Sequence, residues 1–140
     1  MDVRSASVDD VEEILEVWSA AGLGGGAEVD RAEALERLRE DDGFFVVGEM
    51  DGSLVAVAMG CYDNHRGWLK RVAVHPEHRG NGFGRAIVDA VEQRFFDAGV
   101  VHLRLSVFED NEAGLAFWNG MAYEELPTIR YFTKDLRSSR

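Results

Sequence analysis

The sequence predicts an α/β fold in which a mixed sheet carries helices on both faces. Strand-like and helix-like patterns alternate along the 140 residues in the order β-α-α-β-β-β-α-β-α-β-β. The dipeptide Asp51-Gly52 joins two extended apolar runs and indicates a β-hairpin. A glycine-rich loop at residues 79–84 lies between a strand and a helix. Because 46% of the residues are apolar and no linker or repeat is present, we expect one domain over residues 1–140.

The segment before the hairpin predicts one strand and two helices. Residues 2–6 are extended, and Ser7 is a good N-cap for the first helix. Its buried face is marked by apolar residues at helical spacing, which are Val11, Ile14, Leu15 and Trp18. The glycines of residues 22–26 end this helix, and a second helix is expected over residues 30–40.

The hairpin and the elements after it complete the predicted sheet. The hairpin strands cover residues 44–50 and 54–61. The elements after the hairpin are expected as a strand at 68–74, a helix at 82–98, a strand at 100–108, a helix at 110–121, and final strands at 123–126 and 129–133 around Pro127.

The strand and loop from Val72 to Arg85 carry the clearest functional signal. The exposed amides of such a loop and the start of the following helix form a site for anions. Gly80, Gly82 and Gly84 let the backbone approach a ligand closely, and Arg79 and Arg85 add positive charge with a geometry suited to phosphate oxygens. A diphosphate fits this arrangement best.

Two other phosphate motifs are excluded. A P-loop needs Gly-Lys followed by Ser or Thr, and this tripeptide does not occur. The run from Gly22 to Ala27 has the spacing of a dinucleotide fingerprint, but it follows a helix instead of a strand. We therefore interpret it as a flexible connection between two helices.

The segment Arg79-Gly80-Asn81-Gly82-Phe83-Gly84 resembles the acetyl-CoA signature of the GNAT acetyltransferases. The preceding residues 72–77 are similar to the strand and turn that lead into it, and residues 111–123 are similar to the family's second signature. The resemblance covers essentially the whole chain. It implies the GNAT fold, a mixed and mostly antiparallel sheet splayed between strands 4 and 5.

The resemblance also implies a reaction and a set of ligands. The enzyme would transfer an acetyl group from acetyl-CoA to a primary amine by direct attack in a ternary complex, without a metal. Three groups of residues would bind acetyl-CoA: Val72, Ala73 and Val74 in the strand; Arg79, Gly80, Asn81, Gly82, Phe83, Gly84 and Arg85 at the pyrophosphate; and Asn111, Phe117 and Trp118 along the arm. A strand amide, assigned to Val74, would polarise the thioester carbonyl.

The sequence departs from the family at both acid–base positions. Trp68 stands where a glutamate is frequent, and Trp118 stands where a general-acid tyrosine is frequent. Asp63, His65 and Glu49 are the substitute bases that we consider, with Tyr123 as the substitute acid. Each also has a plainer interpretation: Asp63 and His65 are typical turn residues, and Tyr123 is typical of core packing. The missing groups keep a second hypothesis open, a GNAT module that binds or senses acyl-CoA without turnover.

Charge is distributed unevenly and bears on the partners. Residues 8–42 contain twelve Asp and Glu but only three Arg, within a chain of net charge -11. This predicts a cationic acceptor, such as a peptide N-terminus, a polyamine or an aminoglycoside. The competing interpretation is a solvated helix surface. A broad basic footprint for nucleic acid is lacking, and no apolar run is long enough to span a membrane.

The remaining expectations concern the compartment, metals and assembly. The single cysteine, Cys61, excludes an internal disulfide and fits a reducing compartment, so a cytoplasmic protein is expected. His75 and His78 have helical spacing but no evident third ligand, so no metal site is expected. Dimers are common in the family that the chain resembles, which allows a homodimer.

Overall fold

The sheet is built around the hairpin that the Asp51-Gly52 turn predicts. The computed structural model describes residues 1–137. Its elements are β1 (Asp2–Ser5), α1 (Val11–Ala20), α2 (Ala27–Leu38), β2 (Phe45–Met50), β3 (Ser53–Tyr62), β4 (Gly67–Val74), α3 (Phe83–Asp97), β5 (Leu103–Arg104) and α4 (Glu112–Gly120). Two compact units divide the chain, Met1–Ser106 and the segment from Val107 onward. The single domain over residues 1–140 stays a prediction.

The five strands of the first unit lie in the order β1-β2-β3-β4-β5. The first three pairs are antiparallel, and β5 pairs with β4 in parallel. The β4–β5 ladder contains only two pairs, Gly67 with Leu103 and Trp68 with Arg104. The strands therefore separate after Trp68. A mixed, mainly antiparallel sheet that splays between strands 4 and 5 is thus confirmed.

Helices cover both faces of this sheet, as predicted. The face toward α1 is made by one alternating set of strand residues, which includes Phe45, Val47, Val57, Met59 and Ala73. They enclose the fully buried Trp18 of α1.

The opposite face packs on α3, whose residue Phe95 is fully buried. Its ring stacks on Phe44, with the ring centroids 4.1 Å apart. Gly60 lies directly beneath it, because a Cβ at that position would come within 2.8 Å of two atoms of the Phe95 ring. The absence of a side chain at Gly60 therefore lets α3 approach the sheet.

Replacing Phe95 by alanine is expected to lower the free energy of unfolding by about 3–5 kcal/mol, because the cavity cannot be filled by the rigid strands around it. The exposed neighbour Phe96, with 66% of its surface accessible, supplies the matched control. Phe96→Ala is expected to change stability by less than about 1 kcal/mol. Urea denaturation measures the free energy of unfolding of both variants. Equal losses of this free energy in Phe95→Ala and Phe96→Ala would contradict the packing of Phe95 described here.

The first two helices differ from the predicted bounds at their N-terminal ends. Residues 8–10 form a short 3₁₀ turn, and α1 begins after it. The amide of Ser7 donates to the Asp10 carboxylate at 2.8 Å, so the predicted cap forms one turn before the α-helix. Helix α2 begins at Ala27, three residues earlier than predicted, because the buried Asp30 carboxylate accepts the Gly25 amide just outside the helix.

The predicted strand at residues 100–108 is wrong in its extent, since β5 contains only Leu103 and Arg104. At the N-terminal end of the predicted strand, the amide of Val100 donates to the carbonyl of Phe95 and so belongs to the C-terminal cap of α3. Beyond Arg104 the ladder to β4 ends. A strand pattern in the sequence does not supply a strand partner, and residues without a partner stay irregular.

The second unit contains α4 and an irregular segment after it. The side chain of Asn111 caps α4 by accepting the Gly114 amide at 2.9 Å. The predicted strands at 123–126 and 129–133 are wrong, since these residues are irregular. Pro127 instead forms a tight turn, in which the amide of Ile129 donates to the carbonyl of Leu126. Within residues 1–137, no helix is long and apolar enough to cross a bilayer.

Candidate functional site

The central feature of the site is the edge of β4 that has no neighbouring strand after Trp68 among residues 1–137. The amide of His75 donates to the carbonyl of Val55 in β3. Backbone groups alternate in direction along a strand, so Ala73 also faces β3, whereas Val72 and Val74 direct their amides and carbonyls to the other edge. On that edge the ladder to β5 has already ended at Trp68. The edge therefore presents main-chain groups that can pair with an extended ligand.

A concave anion site follows directly after this edge. Gly80 and Gly82 adopt positive φ angles of 82° and 76°, which favour glycine, and Gly82 is the N-cap of α3. The first helical hydrogen bond runs from the Ala86 amide to the Gly82 carbonyl. The amides from Gly82 to Arg85 therefore precede the helical ladder, and the loop turns the positive end of the helix dipole outward.

The side chains of this loop leave that surface accessible. Arg79 and Arg85 are exposed, and Asn81 is held by a hydrogen bond from its amide nitrogen to the His78 carbonyl. His75 accepts the Glu77 amide through Nδ1 and so caps a short turn. In the described residues no three metal-ligating side chains come together. The geometry of this loop is suited to phosphate groups.

An open groove lies between α2 and the strands β3 and β4, with a volume of about 250 Å³. Two carboxylates of α2, one carboxylate of the turn after it and three strand residues line it, which are Glu33, Glu36, Glu40, Met59, Cys61 and Lys70. The acidic stretch predicted from the sequence thus places part of its charge at a groove. Other carboxylates of the stretch have different partners; Asp10, for example, bonds Arg4 at 2.7 Å.

The groove also contains part of the buried Arg37 side chain. Its guanidinium holds the Gly60 carbonyl and the Asp42 carboxylate. Arg37 therefore fixes the C-terminal end of α2 against β3, so the wall of the groove has a defined position.

A network around Arg71 joins β4 to the two N-terminal helices. The register of β3 and β4 shifts between Val57 and Met59, which places a β-bulge at this point. The bulge contains Arg71, whose φ of 48° is in the left-handed region. Its guanidinium bonds Asp30 at 2.9 Å and Glu33 at 2.8 Å. Burial alone would raise the pKa of Asp30, but Arg71 and the Gly25 amide outweigh it and lower the pKa.

Sequence reasoning missed Arg71 and Asp30. One signal was present, since Lys70-Arg71 places two successive charges inside an apolar strand and breaks its alternation. Such a break is expected where a bulge changes the direction of the side chains.

The candidate bases Asp63 and His65 lie in the turn before β4. The Asp63 carboxylate accepts the amides of His65 and Arg66 and the indole N–H of Trp68. These bonds, from Arg66 first and Trp68 second, lower the pKa of Asp63. The turn and Val74 are at opposite ends of β4, roughly 20 Å apart at the usual rise per residue. The structure therefore does not bring these two side chains next to Val74.

The other candidates have structural partners as well. Glu49 lies on β2, two strands away from β4, and its carboxylate pairs with Arg4 at 3.3 Å. In the second unit, Tyr123 contacts Trp118 edge to face, with ring centroids 5.0 Å apart, and Phe117 contacts Trp118 in the same way at 4.9 Å. Asn111 uses its side-chain oxygen as a helix cap. The predicted roles of these second-unit residues stay predictions.

Comparison with known proteins identifies the family. A sequence model of the acetyltransferase (GNAT) family matches residues 11–123. The chain belongs to this family. An acetyltransferase of Yersinia pestis (strain Pestoides F) is 33% identical over 129 residues, which cover 92% of each chain. The predicted GNAT membership and the predicted acetyltransferase activity are therefore confirmed.

Solved structures confirm the GNAT fold. The aminoglycoside 6'-N-acetyltransferase AAC(6')-Ig of Acinetobacter haemolyticus has a TM-score of 0.82 at 19% identity, over 96% of this chain and 99% of that one. The ribosomal-protein-S18-alanine N-acetyltransferase of Escherichia coli has a TM-score of 0.77 at 19% identity, over 89% of this chain and 78% of that one.

This GNAT enzyme uses acetyl-CoA as its co-substrate. Two features of its first unit fit that ligand. The unpaired groups of Val72 and Val74 suit an extended arm that contains amides, and the loop that ends at Gly82 suits a diphosphate. One short turn, Pro76–His78, separates the edge of β4 from this loop.

Proposed function

We propose that this enzyme acetylates a primary amine of a cationic acceptor, either a peptide N-terminus or a small amine, by direct attack within a ternary complex. The unpaired edge of β4 is the observation that carries the proposal. It can hold the thioester by its backbone while the groove beside α2 leaves a separate approach for the amine. With both reactants bound at once, no covalent enzyme intermediate is needed.

The chemistry requires polarisation, proton removal and proton return. The Val74 amide donates to the thioester carbonyl and stabilises the charge that develops on its oxygen. The amine nitrogen forms a bond to the carbonyl carbon, the carbon–sulfur bond breaks, and the nitrogen loses a proton. The departing thiolate gains a proton. An amine of pKa near 10 is mostly an ammonium ion at neutral pH and has no lone pair for attack. It therefore loses one proton to solvent before attack, and the second proton, lost as the amide forms, balances the one that the thiolate gains.

Proton removal in this proposal goes through water. Asp63 and His65 precede the strand, and Asp63 already accepts three hydrogen bonds. The proposal therefore assigns the proton, through solvent, to the carboxylates that line the groove. Polarisation and proximity then supply most of the rate enhancement, and general base catalysis supplies less than in enzymes with a positioned glutamate.

The acceptor is inferred from the groove. The groove has three carboxylates, on Glu33, Glu36 and Glu40, against two cations, Arg37 and Lys70, and Arg37 is itself paired with Asp42. Met59 and Cys61 supply an apolar floor for an aliphatic stem. Glu33 is already paired with Arg71, and Glu36 with Arg39 at 3.3 Å in an exposed pair that solvent weakens. Two structural neighbours act on amines, since their names specify an aminoglycoside and an alanine of a ribosomal protein.

A thiol-release assay tests the reaction class. Acetyl-CoA is incubated with peptide N-termini, polyamines, aminoglycosides, amino acids and a neutral arylamine, and free thiol is followed. We expect release with cationic amines, and release that falls as salt rises. Equal rates with the neutral arylamine, independent of salt, would contradict the cationic acceptor. Silence with every amine, while acetyl-CoA still raises the melting temperature, would contradict the acceptor classes proposed here.

The double substitution Glu36→Gln/Glu40→Gln is expected to raise KM for a polyamine about tenfold, because it removes two negative charges from the groove at constant size. The KM for acetyl-CoA should change less than about twofold. Asp9→Asn/Glu16→Gln makes the same change in net charge on exposed residues outside the groove. If both double variants raised the polyamine KM equally, overall charge and not the groove would attract the acceptor. Steady-state kinetics at fixed ionic strength gives the KM for the polyamine and for acetyl-CoA in each double variant and in the unsubstituted enzyme.

A further inference from the structure

The bulge in β4 combines a constrained backbone with a buried charged side chain. Arg71 has a φ of 48°, a conformation that residues with a side chain adopt rarely. Its carbonyl accepts the indole N–H of Trp18 at 3.1 Å. One residue later the strand begins to present the unpaired groups of Val72 and Val74. The backbone of Arg71 therefore sets the direction of the edge that binds acetyl-CoA.

The side chain of Arg71 points away from that edge, to the helices. Only 19% of its surface is accessible. The guanidinium lies over the Trp18 ring, 4.4 Å from its centroid, and bonds both Asp30 and Glu33 of α2. A planar group with several donors is needed to make these three contacts at once.

Asp30 extends the network to the glycine connection between the helices. Its side chain is 4% exposed, and its carboxylate accepts the Gly25 amide at 3.1 Å. The connection, residues 22–26, contains four glycines and has little conformational preference of its own. Its placement beside α2 therefore depends on Asp30, and the placement of Asp30 depends on Arg71.

We propose that Arg71 is a positioning residue for the acceptor, because it fixes the glycine connection and the start of α2 against the bulge of β4. The inference rests on the proposed function, which places the acceptor beside α2. Arg71 is not among the residues that line the groove. Its backbone serves the acetyl-CoA edge, and its side chain serves the acceptor wall, so the two roles are separable by substitution.

The variant Arg71→Gly separates the role of the backbone from that of the side chain, because glycine keeps the left-handed backbone and removes the guanidinium. We expect the KM for the amine to rise about tenfold, while the Kd of acetyl-CoA changes less than about twofold. Arg71→Lys retains the charge but not the planar group, and should raise the amine KM by a smaller factor, about threefold. Arg31→Ala is the matched control, since it removes an exposed ion pair between α2 and Glu12 of α1 without reaching β4.

Hydrogen exchange gives a readout that does not need turnover. In Arg71→Gly, amides of residues 22–30 should exchange at least tenfold faster, whereas those of Ala73 and His75, which face β3, should keep their protection. Arg31→Ala should change neither segment. If Arg71→Gly does not fold, Arg71→Lys tests the proposal through the same two measurements, the KM for the amine and hydrogen exchange at residues 22–30.

Two results would overturn the inference. One is an unchanged amine KM together with unchanged exchange at residues 22–30. The other is a parallel loss of amine and acetyl-CoA binding in Arg71→Lys, which indicates a general structural role. Failure of the proposed function is distinguishable, because it would appear as absence of transfer in the unsubstituted enzyme while the exchange difference at residues 22–30 persisted.

Discussion

Replacing Val74 by proline is expected to lower kcat by about 100-fold or more, because it deletes the amide that the proposal assigns to the thioester carbonyl. Removal of one such donor typically costs a factor of 10²–10³. Proline is tolerated where a strand amide faces away from the neighbouring strand, and the Val74 amide faces the unpaired edge of β4. The measurement is single-turnover acetyl transfer at saturating amine.

Two controls separate this effect from misfolding. Val74→Ala keeps the amide and should retain kcat within about threefold. Val74→Pro should still be stabilised by acetyl-CoA in a thermal melt, since the diphosphate loop is unchanged and ligand binding to the folded state raises stability. If Val74→Pro and Val74→Ala had the same kcat, the Val74 amide would have no part in the chemistry.

Replacing Arg79 by alanine is expected to weaken acetyl-CoA binding about 10- to 100-fold. Arg79 is exposed beside the loop amides, and a charge-assisted hydrogen bond to phosphate contributes about 1.5–3 kcal/mol. Isothermal titration with acetyl-CoA gives the Kd of each variant. Arg31→Ala, which removes an exposed arginine from α2, should leave this Kd unchanged.

A truncated substrate sharpens the test of Arg79. S-acetylpantetheine keeps the thioester and the amide arm but lacks the diphosphate. Arg79→Ala should therefore transfer acetyl from S-acetylpantetheine as fast as the unsubstituted enzyme does. A loss with both substrates would mean that Arg79 supports the fold of the loop and not the phosphate contact.

The sequence predicted the fold class and the acetyl-CoA loop because both depend on local patterns. The spacing of Ile14, Leu15 and Trp18 reports one buried helix face, and all three are buried. Gly80 and Gly82 were expected to let a ligand approach the backbone closely; the structure shows a different reason for glycine there, since both adopt positive φ. Such signals lie within a few residues of each other, so a single sequence contains them.

Prediction was weaker wherever a residue needed a partner far along the chain. The strand patterns at 123–126 and 129–133 are genuine in composition, but a strand forms only if another edge accepts its hydrogen bonds, and here the segment turns at Pro127. Asp63 and His65 have the right chemistry for a base, yet the length of β4 separates them from Val74.

Local patterns in the sequence were enough to predict the alternation of strands and helices up to α3, the hairpin at Asp51-Gly52 and the glycine-rich turn that begins α3. The packed fold was needed to show that β4 bulges at Arg71, that its ladder to β5 ends at Trp68, and that three glutamates of residues 33–40 line a groove. These features depend on contacts between residues that are far apart in the sequence. The contacts of Arg71 with Trp18 and Asp30 join residues 53 and 41 positions apart, and such contacts form only when the sheet and helices are packed together.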